Sequence, residues 1–166
     1  MKRVLKSLPE FRAKKHSSFK GLSIFVDEKE ILKIKNVERY PTAKLTEDFR
    51  CLEGWEVKGV AWEGVRVSSL LSEVNLSPKI RWVLFGSGEF TWQIKLGDAL
   101  KDTTLLATKM NGSSISTVHG GPLRLVFRGQ RCFESVKSVD RIVLLKKGVN
   151  PTAELIAKSR IREKKQ

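Results

Sequence analysis

A chain of 166 residues fits one compact domain, and its 40% hydrophobic and 30% charged content is that of a globular body, which excludes general disorder. No run approaches the roughly 18 apolar residues of a membrane-spanning helix, and the basic start MKRVLKSLPEFRAKKH lacks the apolar stretch of a secretory signal. The expectation is a cytoplasmic protein with no membrane partner. Two cysteines, Cys51 and Cys132, and two histidines, His16 and His119, are too few for a disulfide framework or a four-cysteine zinc site, and their spacing fits no mixed metal finger.

The formal charge of +14 sits mainly on the two ends. Residues 1–20 hold seven Lys/Arg against Glu10, and residues 146–166 hold seven against Glu154 and Glu163, which leaves a net +3 on the body between them. A basic nucleic-acid surface concentrates its charge on one folded face, whereas basic ends are solubilising tails or weak polyanion contacts. Nucleic acid is therefore a partner that this distribution does not favour.

In chain order, LSIFV (22–26) and ILKIK (31–35) read as strands around a turn at Asp27 to Glu30. Cys51 lies in FRCLEGWEVKGVAWEGVRVSSLL (49–71), read as a loop around the cysteine. Residues 66–74 space Val67, Leu70, Leu71 and Val74 at helical intervals, with Ser68 or Ser69 as a cap, and Pro78 ends any extension. IRWVLFG and FTWQIKL predict two strands around a Gly-Ser-Gly turn. LGDALK predicts a short helix, and TTLLATKM leads into Asn111-Gly112, a hairpin signal. PLRLVF and VDRIVLL predict two further strands, separated by RGQRCFESVKS, and Pro151 opens a charged terminal helix. The strands do not alternate regularly with helices, so the expected fold class is α+β, a mixed, strand-rich single domain.

Two places could carry chemistry. Cys51 is either a small buried side chain or a thiolate, the form that acts as nucleophile and soft-metal ligand. In VHGGPLRLVF, His119 and Arg124 flank glycines that allow close approach of a ligand, so the segment is either an anion site or a glycine turn beside a solvated arginine. A cysteine nucleophile with His119 as base lacks a third, orienting residue. No GxSxG, HExxH or P-loop is present.

CLEGW (51–55), AWEGVRVSSLL (61–71), LLATKMNG (105–112), VHGGPLRLVF (118–127) and SVKSVDRIVLL (135–145) together resemble the molybdopterin-binding domain of the sulfite oxidase family, in order and spacing. The resemblance covers residues 20–146. It implies a basic N-terminal tail at 1–20, a molybdopterin-binding domain at 21–146, and a basic C-terminal helix or tail at 147–166. It also implies a molybdenum–molybdopterin cofactor, with Cys51 as both the metal ligand and the catalytic residue. His119, Gly120, Arg124 and Lys137 match the positions that lie against the pterin and its phosphate. Asn111 matches a turn near the cofactor and ranks as more structural. Trp55 and Trp62 are either shields of the metal or core packing.

The sequence also departs from the family. Only about 20 residues precede the first predicted strand, where family enzymes carry further pocket residues. Glu89-Phe90 stands where the family has Gly-Tyr, and Cys132-Phe133-Glu134 stands where it has Gly-Tyr-Lys, with Arg131 as a candidate compensating cation. No haem, flavin or dimerisation domain is evident. The implied function is an oxidoreductase that transfers an oxygen atom to or from a small oxyanion or sulfoxide, with an external electron carrier protein. The competing reading is a non-catalytic pterin-binding or carrier protein, or a degenerate domain whose basic tails dock to a partner or to nucleic acid.

Overall fold

The computed structural model describes residues 3–10 and 19–163. His16 lies outside them. Among the described residues the fold is strand-rich with few helices, built from two mixed sheets.

The first sheet gathers β1 (Arg3–Leu5), β4 (Thr42–Arg50), β5 (Trp55–Arg66), β8 (Thr104–Met110), β9 (Ser113–Ser114) and β10 (Arg124–Phe127). The second has the order β3 (Lys29–Ile34), β2 (Leu22–Val26), β11 (Arg141–Leu145), β6 (Trp82–Ser87) and β7 (Phe90–Lys95). In that sheet β11 runs parallel to β2 and antiparallel to β6. The helices are α1 (Val67–Leu71), which buries Val67, Leu70 and Leu71 in the core, α2 (Leu96–Ala99) and α3 (Ala153–Glu163).

The largest departure from the sequence expectation is the stretch read as a loop. It supplies the end of β4 and the twelve-residue β5, an antiparallel pair that runs from Thr42 opposite Val65 to Arg50 opposite Glu56. β4 alternates cleanly, with Ala43 and Leu45 buried between exposed neighbours. β5 hides its periodicity, because a bulge between Glu63 and Gly64 shifts its register against β8 and leaves both faces partly covered. Gly64 is obligatory there: a Cβ would stand 2.2 Å from the Leu106 carbonyl oxygen. One edge of β5 pairs with β4 along its length, and the other is shared by β1 at Trp55–Val57 and β8 at Trp62–Arg66.

The helix expected at 66–74 is shorter than its apolar spacing suggested. α1 closes after Leu71 and has no side-chain cap at its start, because Arg66 and not a serine occupies the N-cap position. The other expected strands and the Asn111-Gly112 hairpin fall within a few residues of the predicted places.

Two apolar clusters result. One fills the space between the sheets with Leu22, Ile24, Phe85, Ile142 and Leu144 against Val65, Leu106 and Leu125. The other lies on the opposite face of the first sheet, with Leu45, Phe49, Trp62, Leu105, Ala107 and Val126, and is covered in part by Leu8 and Ile115. Successive residues of β8 and β10 serve the two clusters in turn, as the two-residue period of a strand requires. Residues 3–10, within the stretch expected as a tail, thus supply a strand and a buried leucine.

Candidate functional site

Cys51 occupies the tight connection between β4 and β5. Its N–H donates to the Trp55 carbonyl at 2.9 Å, and its own carbonyl accepts from the Gly54 N–H at 3.1 Å. Gly54, at φ +86°, supplies the left-handed residue that this reversal needs. The Cys51 Sγ lies 4.0 Å from Glu53 Oε2, which accepts the Trp55 Nε1–H at 3.3 Å. Trp55 in turn stacks on Phe49 with ring centroids 6.0 Å apart. The thiol is half-buried and its backbone is held on both sides.

The neighbour of Cys51 is Cys132, at the start of the 3-10 turn Cys132–Glu134 that follows β10. The Cys132 thiol is drawn down to about 6, first by Cys51, against the opposing effect of burial and with help from the N–H groups of Leu52 and Phe133 and the charge of Arg124. The Cys51 thiol is pushed upward, first by Cys132 and then by burial.

Arg124 projects from β10 onto the same face. It is 2% exposed, with its guanidinium 5.0 Å from the Phe49 ring centroid and 5.2 Å from that of Trp62. Its Nε donates to Ser135 Oγ at 2.8 Å and its Nη1 to the His119 carbonyl at 2.7 Å, while Ser135 Oγ donates onward to the Leu125 carbonyl at 2.8 Å. No carboxylate pairs with Arg124 among the described residues. Burial lowers it to about 10, and the Cys132 sulfur is the one neighbour that draws it back upward.

Lys137 and His119 complete a cationic group. Lys137 is lowered to about 8 by burial, then by the charges of Arg124 and of Arg160 on α3. Its Nζ donates to the Val118 carbonyl at 3.1 Å. His119 is lowered by burial and then by Lys137, against a smaller upward pull from Glu10. Gly120, at φ +97°, makes room for Lys137: a Cβ there would lie 2.6 Å from Lys137 Cγ. Like charges depress one another only when they converge, and converging cations suit an anion.

Of the sequence-derived candidates, the fold therefore brings together Cys51, Arg124, Lys137, His119 and Gly120. Asn111 exchanges two hydrogen bonds with Ala61 of β5, 2.9 Å through its Oδ1 and 2.7 Å through its N–H, so its hydrogen bonds are with the sheet. Arg131 is committed elsewhere: its Nε and Nη2 both reach Glu134 Oε1, at 3.0 and 2.8 Å, and its guanidinium lies over Phe133 at 4.6 Å. Trp62 is buried in the core beneath Arg124 and Trp55 only half so.

Three residues escaped the sequence reading. Ser135 orients Arg124, Cys132 neighbours Cys51, and Arg160 faces Lys137. Only Cys132 left a signal, as the one other cysteine of the chain. A separate cleft of about 520 Å³ is lined by Ser87, Thr117, Gly121, Ser138 and Arg141, and Cys51, Arg124 and Lys137 are not among its walls.

Comparison with known proteins agrees with the resemblance. The chain is 30% identical over 113 residues to the uncharacterized oxidoreductase YuiH of Bacillus subtilis, covering 68% of this chain and 57% of that protein. It is 29% identical over 126 residues to the protein-methionine-sulfoxide reductase catalytic subunit MsrP of Pseudomonas syringae, covering 65% of this chain and 37% of that one. The chain thus spans between about a third and somewhat over half of these relatives. Its fold is similar to that of the sulfane dehydrogenase SoxCD from Paracoccus pantotrophus, with a TM-score of 0.71 and 22% identity over 84% of this chain and 42% of that one. Residues 8–152 match the family described as oxidoreductase molybdopterin binding domain, and the chain belongs to that family.

Proposed function

We propose that this chain holds molybdenum–molybdopterin between Cys51 and the group formed by Arg124, Lys137 and His119, and that it is a cytoplasmic oxidoreductase moving an oxygen atom from a small sulfoxide. A small oxyanion is the second substrate class for the same site, and a separate carrier protein exchanges the electrons. One observation carries this reading: Arg124 is a buried guanidinium with no carboxylate partner among the described residues, and it lies 5.0 Å from the ring of Phe49, two residues before Cys51.

The donor set fits the cofactor. A soft thiol at one end suits molybdenum, and converging cations at the other suit a phosphate. The bound cofactor would supply a two-electron centre able to give or accept an oxygen atom. The chain's own residues do the rest. Cys51 gives up its proton and offers a thiolate whose position is fixed by the β4–β5 turn. Arg124 is held by Ser135 and the His119 carbonyl, so its fork is oriented before a ligand arrives. His119, its pKa lowered by burial and then by Lys137, offers an N–H donor beside the charges of Arg124 and Lys137. Arg131 is left out of the set because Glu134 already neutralises it. The similarity to MsrP favours the sulfoxide over the oxyanion.

The test is metal and pterin content of protein purified from a host that makes the cofactor, followed by methionine sulfoxide reduction with a reduced dye as electron donor. The expected result is near one molybdenum and one pterin per chain, with turnover lost in Cys51→Ser and its thermal midpoint close to wild type. A folded protein with neither metal nor pterin, from a host that loads other molybdoenzymes, would overturn the reading.

A further inference from the structure

We propose that the cleft of about 520 Å³ on the second sheet binds a small organic phosphate, a phosphate monoester carried by a planar ring, at a site separate from Cys51 and Arg124. The strand register builds its floor. Lys33 on β3 stands opposite Ser23 on β2, Ser23 opposite Arg141 on β11, and Arg141 opposite Gly86 on β6, so these residues form one row across the sheet. Their chain neighbours Ile24, Ile142 and Phe85 belong to the core between the sheets, which turns the row to the outer face. Strands lie about 4.8 Å apart, so Lys33 and Arg141 flank Ser23 from backbone positions about 10 Å apart. That spacing lets two long cationic side chains close on one phosphate above a hydroxyl.

Arg141 is set in place before a ligand arrives. Its Nη2 donates to the Gly88 carbonyl, its Nη1 donates to Asp140 Oδ1 at 3.4 Å, and it lies over Gly86, where a Cβ would stand 2.7 Å from its Cζ. Asp140 offsets that one charge. Lys20 and Lys33 line the same cleft and are engaged by no carboxylate among the described residues, so an excess of two positive charges is left there. A doubly charged phosphate monoester matches it. The cleft is larger than a bare phosphate needs and falls within the usual range for small-molecule sites, and Phe19 and Phe25 in its wall offer apolar surface to a ring. One short segment separates it from the cations around Arg124. Thr117 and Gly121 face the cleft, while the carbonyls of Val118 and His119 between them receive Lys137 and Arg124. The proposal does not rest on the cofactor reading.

The experiment titrates the cofactor-free full chain with adenosine monophosphate, adenosine and inorganic phosphate, read by calorimetry and by amide chemical shifts. The expected result is saturable binding of the monophosphate, about tenfold or more tighter than either of the other two, with the main shifts at Ser23, Lys33 and Gly121. Lys33→Ala, at an exposed position, should weaken it by about tenfold, and Phe19→Ser should bring the monophosphate toward the affinity of inorganic phosphate. Arg124→Met should change it by less than about twofold. No saturable binding of the monophosphate overturns the proposal, as does equal affinity for inorganic phosphate, which would mark a bare anion contact with surface lysines. Binding lost in Arg124→Met and kept in Lys33→Ala overturns it too, because the phosphate then belongs to the buried cations.

Discussion

The guanidinium of Arg124 lies 5.2 Å from the ring centroid of Trp62, inside the outer core of the first sheet and out of water. The aromatic face and two hydrogen bonds recover part of the desolvation cost, but no carboxylate does. Such a residue is stabilising only when an anion arrives.

Arg124→Met should therefore leave the cofactor-free chain as stable as wild type or more so, by up to about 2 kcal/mol, since methionine fills the space between Phe49 and Trp62 without a charge to bury. Pterin content should fall to background. Chemical denaturation of the cofactor-free protein beside pterin assay of the loaded protein checks both halves, and a lower denaturation midpoint would count against the uncompensated charge.

Gly120→Ala should disturb both the fold and the site. The new Cβ meets Lys137 at its Cγ (2.6 Å), its Cβ (2.7 Å) and its backbone Cα (3.1 Å), and sits at φ +97°, so the chain at Lys137 must shift as well as its side chain, on top of a backbone strain of about 1–2 kcal/mol. Gly112→Ala is the control: its φ of +83° carries similar strain, but nothing lies within 4 Å of the added carbon. A lower thermal midpoint in Gly120→Ala than in Gly112→Ala, with pterin lost only in the former, is the expected pattern.

Asn111→Ala removes the acceptor for the Ala61 N–H and should cost about 1 kcal/mol, or about 2–4 °C in thermal midpoint for a chain of this size. Pterin and molybdenum content should stay at the wild-type level. A loss of cofactor matching that of Arg124→Met would return Asn111 to the binding site.

Lys137 predicts a pH dependence whose sign follows from its lowered pKa. Between about 8, its value in the fold, and its ordinary 10.5, the unfolded chain holds a proton that the folded chain lacks. Stability of the cofactor-free protein from this group therefore rises with pH across that window. The rise should be weaker in Lys137→Met, and inorganic phosphate should flatten it by keeping the lysine protonated. Thermal melts at pH 7.5, 8.5 and 9.5, with and without phosphate, measure it; a rise unchanged in Lys137→Met would assign it to another group.

Much of this arrangement was legible beforehand, and the gaps have physical causes. The second sheet and β8 were readable because their residues are β-branched or aromatic and bounded by turn signals. β5 was not, because glycines at 59 and 64 and the bulge before Gly64 break its alternation, so a twelve-residue strand looked like a loop. Among the site residues, Cys51, His119 and Arg124 stood out by chemical type and by motif. Ser135 and Arg160 did not, because a serine that aims an arginine and an arginine that faces a lysine from another element are visible only after folding. Asn111-Gly112 shows the converse: a motif recognised in the sequence whose observed contacts belong to the sheet.

The alternation along β10 also guards the protein against misassembly. Arg124 and Val126 face the outer cluster while Leu125 faces the space between the sheets. Pairing β10 with β8 one residue out of step would drive the guanidinium among the leucines and isoleucines of the inner core, with neither Ser135 nor an aromatic face to receive it. A slipped strand would thus be penalised at the residue proposed to hold the phosphate. The charge that burdens the finished fold would disfavour the slipped register, and in the native register Arg124 is set between Phe49, Trp62 and Ser135.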